Sequence, residues 1–182
     1  MKKYINVGAD MNFVFNTVYD MDSLTAMARA VRKTTHKKRS KRSHIFGIIV
    51  VVLAVLLVAV SVLADKFSFN TFITALAGII IIMALIFEDR LNAYIALKRM
   101  IKGGEKGVVT FNEDNFVSAT EVGTTEFKYN IIEAIAKRGD YIVFVLSRRH
   151  AQVYDLTAMT NGTPKEFCKF IEKKTGLEIQ KI

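Results

Sequence analysis

Three histidines, a single cysteine and two clusters of basic residues are the side chains with chemistry to offer in this 182-residue sequence. His36 and His44 lie in a basic segment, and His150 lies in a hairpin pattern. No two of them share metal-ligand spacing with Cys, Asp or Glu neighbours, so no metal site is expected. Cys168 sits beside the apolar stripe of a terminal helix, where a thiol serves as a small buried hydrophobe rather than a nucleophile. One cysteine also excludes an intrachain disulfide and fits a reducing compartment. No serine occupies a G-x-S-x-G frame. Gly103-Gly104-Glu105-Lys106-Gly107 is too short for a phosphate loop, and no helix pattern follows it. With no catalytic group, no cofactor loop and no metal set to point to, the chain reads as non-enzymatic.

What remains is anion chemistry. Lys37, Lys38, Arg39, Lys41 and Arg42 form one basic run. It has two compatible readings. As an orientation signal it needs no further role. Beside a bilayer it would also hold anionic lipid headgroups, at about 1 kcal/mol per basic residue near the surface. Nucleic acid is not expected, because no aromatic or recognition-helix pattern accompanies the charges. Arg148, Arg149 and His150 form a second set at a hairpin tip, which reads either as a phosphate-facing loop or as a solvated turn.

The elements that must position these groups begin with two apolar runs, Ile45 to Ala64 and Thr71 to Phe87, neither carrying a charge. A helix crossing the hydrocarbon core needs about 20 apolar residues. The first run fits, and the second fits once Phe67 to Asn70 are counted as its interfacial start. Arg29, Arg32 and Lys33 join the basic run before the first span; Arg90, Lys98, Arg99, Lys102 and Lys106 follow the second. The connecting loop at 65–70 has one Lys and one Asp. Basic flanks are retained in the cytoplasm, so both termini are expected there, with only the loop outside. The Asn161-Gly162-Thr163 sequon would then escape glycosylation. A cleaved signal peptide is not expected: the preamble and the apolar run are both too long. Ser61, Thr71 and Thr74 are the only polar side chains of the two runs, which argues against an ion pathway.

Outside the runs the period changes. Residues 12–19 are aromatic and β-branched, as in a strand. Asp22 or Ser23 would cap a helix with Leu24, Met27, Ala28 and Val31 on one face, continuing as a stalk to residue 43. A second stalk covers 88–103 and stops at Gly103-Gly104. From Gly107 short alternating strands follow, with the apolar Tyr141 to Leu146 as the central one. Thr163, Pro164 and Glu166 start a final helix by a capping box, Phe167, Phe170 and Ile171 form its buried stripe, and Gly176 closes it. An isolated strand cannot satisfy its backbone polar groups. The strand in region 1–21 is therefore expected to pair with the β domain at 104–182, making one discontinuous domain interrupted by spans at 44–64 and 71–87.

The expected fold class is α+β: a two-helix transmembrane hairpin inserted in a small antiparallel β domain of pleckstrin-homology-like type, with a C-terminal capping helix. The stretch VVTFNEDNFVSATEVGTTEFKYNIIEAIAKRGDYIVFVLSRRHAQVYDL, followed by TPKEFCKFIEKKTG, resembles the C-terminal domain of YcxB-like membrane proteins, in which a strand and helix precede two spans and a small β-rich domain follows. The resemblance implies an architecture rather than an activity. The function expected is that of a membrane-anchored adaptor or sensor whose cytoplasmic domain docks a protein, peptide or lipid headgroup. Anionic membrane lipids, a protein partner and a second copy of the chain are the expected partners. The alternative is an accessory subunit of a membrane transporter or membrane enzyme complex.

Overall fold

The computed structural model describes residues 12–64, 66–148 and 150–182. Strand β1 (Phe13–Val18) turns Phe13, Phe15 and Thr17 inward and leaves Asn16 and Val18 exposed, as its alternation requires. It pairs antiparallel with β2 (Lys106–Phe111), Phe13 opposite Phe111 and Val18 opposite Lys106. Its other side is tied to the segment before the last helix. The Val14 amide donates to Asn161 Oδ1 at 2.8 Å, and the Thr160 amide to the Val14 carbonyl at 2.9 Å. So the strand read at 12–19 belongs to the sheet that resumes beyond the helical hairpin.

Two sheets share the core. One runs β1-β2-β3-β4, with β3 at Asn115–Thr120 and β4 at Thr124–Lys128. The other runs β7-β6-β5-β8, from β5 (Ala134–Arg138), β6 (Tyr141–Ser147), β7 (His150–Asp155) and β8 (Ile179–Lys181). All pairings are antiparallel except β5 with β8. That three-residue parallel strand had no alternation by which to be read. Between the sheets lie Phe15, Phe111, Phe116, Phe144 and Tyr154. Helix α5 (Pro164–Thr175) closes this core with Phe167 and Ile171, and the Phe167 ring lies 4.7 Å from Phe15 and 4.9 Å from Phe111. Cys168 packs half-buried at its edge, where burial pushes the thiol up from its ordinary value.

Helix α1 (Met21–Lys33) explains why β6 is apolar on both faces. Ile142 and Phe144 enter the main core, whereas Val143 and Val145 face outward with Ala134, Ala136 and Val153. Ala30 of α1 packs on this outer face, with Met27 and Val31 beside it. The helix is capped by Asp20, two to three residues earlier than read from sequence: its carboxylate accepts from the Ser23 amide, and Ser23 Oγ accepts from the Asp20 amide.

The stalk read as continuous through 22–43 breaks instead. The Thr34 amide still donates to the Ala30 carbonyl at 2.9 Å, but the Val31 carbonyl takes the Thr35 hydroxyl and, five residues on, the His36 amide at 3.1 Å, which breaks the helical register. Helix α2 (Lys37–Leu63) then starts afresh. It runs antiparallel to α3 (Phe69–Ile86), and both are long and apolar enough to cross a membrane. Leu53, Leu57, Val60, Ile79 and Ile80 stand exposed on them. Gly47 lets the pair close: a Cβ there would lie 2.9 Å from Leu85 Cδ1. Helix α4 (Glu88–Arg99) follows α3 after a bend at Phe87 and lies along α1, with Ala30 and Ala93 both fully buried.

Candidate functional site

The break between α1 and α2 puts the basic run where a second basic group can meet it. His36 precedes α2, and its Nε2 lies 3.0 Å from the carbonyl oxygen of Arg148, in the β6–β7 turn. A carbonyl only accepts, so Nε2 carries the hydrogen. Within that turn the His150 amide donates to Ser147 Oγ at 3.1 Å. Arg148 thus sits beside Lys37, Lys38 and Arg39, more than a hundred residues away in sequence. The four cations, with Thr34, Thr35 and His36, line an open cleft of about 470 Å³. Among the described residues no carboxylate lines it. His36 makes no side-chain cap to α2, which leaves its first-turn amides open at the positive end of a 27-residue helix.

A second cleft of about 440 Å³ adjoins the first, shares His36, Arg39 and Arg148, and is completed by Val31, Ser43 and Asn92. Arg32 and Glu88 also line it, and both belong to an ion cluster. Arg32 grips Asp89 with two hydrogen bonds, Nε to Oδ1 and Nη2 to Oδ2, each 2.6 Å. Glu88 Oε2 lies 3.7 Å from Arg32 Nε and 2.7 Å from His44 Nε2. The Asp89 hydrogen bond holds the Arg32 guanidinium above its ordinary value. Arg32 therefore stays charged, and its charge is paired with Asp89. Among the described residues, by contrast, Lys37, Lys38, Arg39, Lys41, Arg42 and Arg148 make no ion pair.

The two sequence-read clusters are only partly united. Lys41 and Arg42 are exposed on α2 and line neither cleft. Arg149 lies outside the described residues. His150 points away, into a separate cavity of about 300 Å³ with Tyr19, Met100, Phe127 and Gln152. There Tyr154 donates to Gln152 Oε1, and complete burial raises its hydroxyl far above the ordinary value. Nearby on β1, the buried Thr17 hydroxyl finds no partner among the described residues.

The Arg32–Asp89–Glu88–His44 cluster escaped the sequence reading, which took Arg32 only as part of the basic flank. A signal was present: Arg32 and His44 precede the first apolar run and Glu88-Asp89 follow the second, so an antiparallel hairpin returns them to one level. Among the described residues no group of three His, Cys, Asp or Glu could hold a metal ion. What the lining of the main cleft offers is four cationic side chains, a set suited to an oxyanion. Comparison with protein-family models, with curated proteins and with solved structures gives no match to this chain.

Proposed function

We propose that this protein is a non-enzymatic, membrane-anchored adaptor or sensor of YcxB-like type. In this reading α2 and α3 cross the cell membrane and both termini lie in the cytoplasm. The β domain is of pleckstrin-homology-like type, and it docks a protein, peptide or lipid headgroup at the inner surface. The two meanders β1–β4 and β5–β7, closed by α5 on the shared aromatic core, support that domain type. Basic flanks on both sides of the helical hairpin support the orientation.

The observation that carries the proposal is the burial of α1. It is sandwiched between the outer face of β5–β7 and α4, and Arg32 clamps it to Asp89 where α4 leaves α3. The β domain is thereby packed on α1 and, through it, on α4, rather than hung from a linker. A rigid mount presents one fixed face to a neighbouring surface, which is what a docking module beside a membrane requires. Affinity purification of the full chain in mild detergent, followed by mass spectrometry, tests it against a version carrying only residues 37–86. Partners retained by the full chain and crosslinked to the β domain are expected; partners held equally by the helices alone would refute the adaptor reading.

One observation favours the accessory-subunit alternative. Ala54, Val58, Ala75 and Gly78 leave an apolar groove of about 340 Å³ between α2 and α3, open on the outside of the pair. Small residues on such a face admit another helix closely. Span-mediated co-purification with a transporter would select this reading.

A further inference from the structure

We propose that the cleft between the start of α2 and the β6–β7 turn is a site for the phosphate of an anionic phospholipid headgroup. The inference rests on the membrane-anchored reading above and names the ligand of its fixed face.

Position comes first. The apolar stretch of α2 begins at Ile45, and Arg39 and Lys37 lie six and eight residues before it. At 1.5 Å per residue they stand about 9 and 12 Å above the hydrocarbon edge. The headgroup layer occupies about 5–7 Å on each side of the core, so phosphates lie within an arginine or lysine side chain's reach of the cleft. Charge comes second. Lys37, Lys38, Arg39 and Arg148 converge with no carboxylate in the lining and no ion pair among the described residues. Like charges brought together repel, and a bound anion relieves this.

Construction is the third point, and it separates a site from a diffuse basic surface. Arg148 comes from the β domain, on a turn held against α2 by the His36 hydrogen bond to its carbonyl. An orientation signal needs charge only along the chain beside the span and gives no reason for a cation from residue 148. Lys41 and Arg42 supply the contrast, since they are as close to the span in sequence yet line neither cleft. Arginine brings a planar fork of donors to a phosphate, which a point charge does not. A lipid is favoured over an acidic peptide because the cleft opens at the level where the long apolar helix begins.

The test uses the full chain in nanodiscs and reads the rate at which an amine reagent modifies each lysine. The discs contain phosphatidylcholine alone, phosphatidylcholine with phosphatidylglycerol, or phosphatidylcholine with inorganic phosphate in solution. The expected result is protection of Lys37 and Lys38 by phosphatidylglycerol only. Arg148→Ala is expected to reduce that protection about fivefold, the worth of one cation at an anionic surface, and Arg148→Lys to restore part of it. Lys41 is expected to be indifferent to Arg148. Equal dependence of all three lysines on lipid charge, unaffected by Arg148→Ala, would mean a diffuse surface and overturn the site. Equal protection by inorganic phosphate would assign a soluble ligand, and displacement by an acidic peptide a protein partner; either overturns the lipid assignment. Failure of the chain to enter the disc sinks the membrane reading and this site together, whereas entry without Arg148-dependent protection sinks the site alone.

Discussion

Phe15→Ala is expected to destabilise a domain whose other strands begin some ninety residues later. Phe15 is fully buried, with ring centroids at 4.7 Å from Phe167, 5.6 Å from Phe111 and 5.7 Å from Tyr154. Truncating a phenylalanine in such a place costs about 3–5 kcal/mol, the lost transfer energy plus the cavity left behind. Val18, on the same strand, is 51% exposed, so Val18→Ala should stay within about 0.5 kcal/mol. The assay is amide hydrogen exchange on the full chain in mild detergent, read in β6 and α5, which touch β1 only through the core. A loss of ~4 kcal/mol accelerates exchange through global opening about a thousandfold, at tenfold per ~1.4 kcal/mol. Phe15→Leu keeps most of the apolar volume and should fall between the two. If Phe15→Ala and Val18→Ala gave β6 and α5 the same protection, β1 would not belong to the domain core, and the discontinuous-domain reasoning would be refuted.

Arg32→Ala, Asp89→Ala and the double variant form a cycle. The side chains are 21% and 14% exposed, so about 1–2 kcal/mol of coupling is expected in chemical unfolding of the full chain, and additive losses would deny the clamp. Asp20→Ala should cost about 1 kcal/mol at neutral pH by uncapping α1. The Ser23 amide holds the Asp20 carboxyl below its ordinary 3.8, so this stabilisation is fully present above 3.8 and lost as pH falls through the lower native value. A wild-type to variant difference that persisted in strong acid would contradict it. For the orientation, a cysteine at Ser68 should label with an impermeant thiol reagent in intact cells carrying Cys168→Ser. One at the exposed Glu121 should label only after the cells are opened, and the reverse pattern would invert the topology.

The sequence carried the local elements well where a residue's partner is a few positions away. The alternation of Phe13, Phe15 and Thr17 marks a strand with one buried face, and Thr163 with Glu166 marks the start of α5; both depend on near neighbours. The unbroken apolar run of β6 was legible as central, although the reason, α1 on its outer face, was not. Three features were hidden because they depend on partners distant in the chain or on competition for one acceptor. The pairing of β8 with β5 joins residues more than forty apart over three positions. The stop at Lys33 turns on the Val31 carbonyl, which takes the Thr35 hydroxyl and the His36 amide five residues on. The meeting of Arg148 with Lys37, Lys38 and Arg39 appears only once the β6–β7 turn is packed beside the start of α2. Charge counting placed Arg32 and Lys37 in one class, whereas folding separates them: Arg32 pairs with Asp89, and Lys37 makes no ion pair among the described residues.

Only two segments join the β domain to the long apolar helices, and both are short. One is Thr34–His36, between α1 and α2; the other is residues 100–105, with Gly103 and Gly104, between α4 and β2. The Arg32–Asp89 clamp lies within a turn of the first and at the start of α4, so it fixes the angle at which the domain sits on the hairpin. The candidate cleft is built on that same junction, since Thr34, Thr35 and His36 line it and His36 holds the β6–β7 turn. An anion bound there draws Arg148 of the domain toward Lys37 and Arg39 of α2. It therefore adds to the contact by which His36 already holds the β6–β7 turn against α2, and it reinforces the orientation that the Arg32–Asp89 clamp sets.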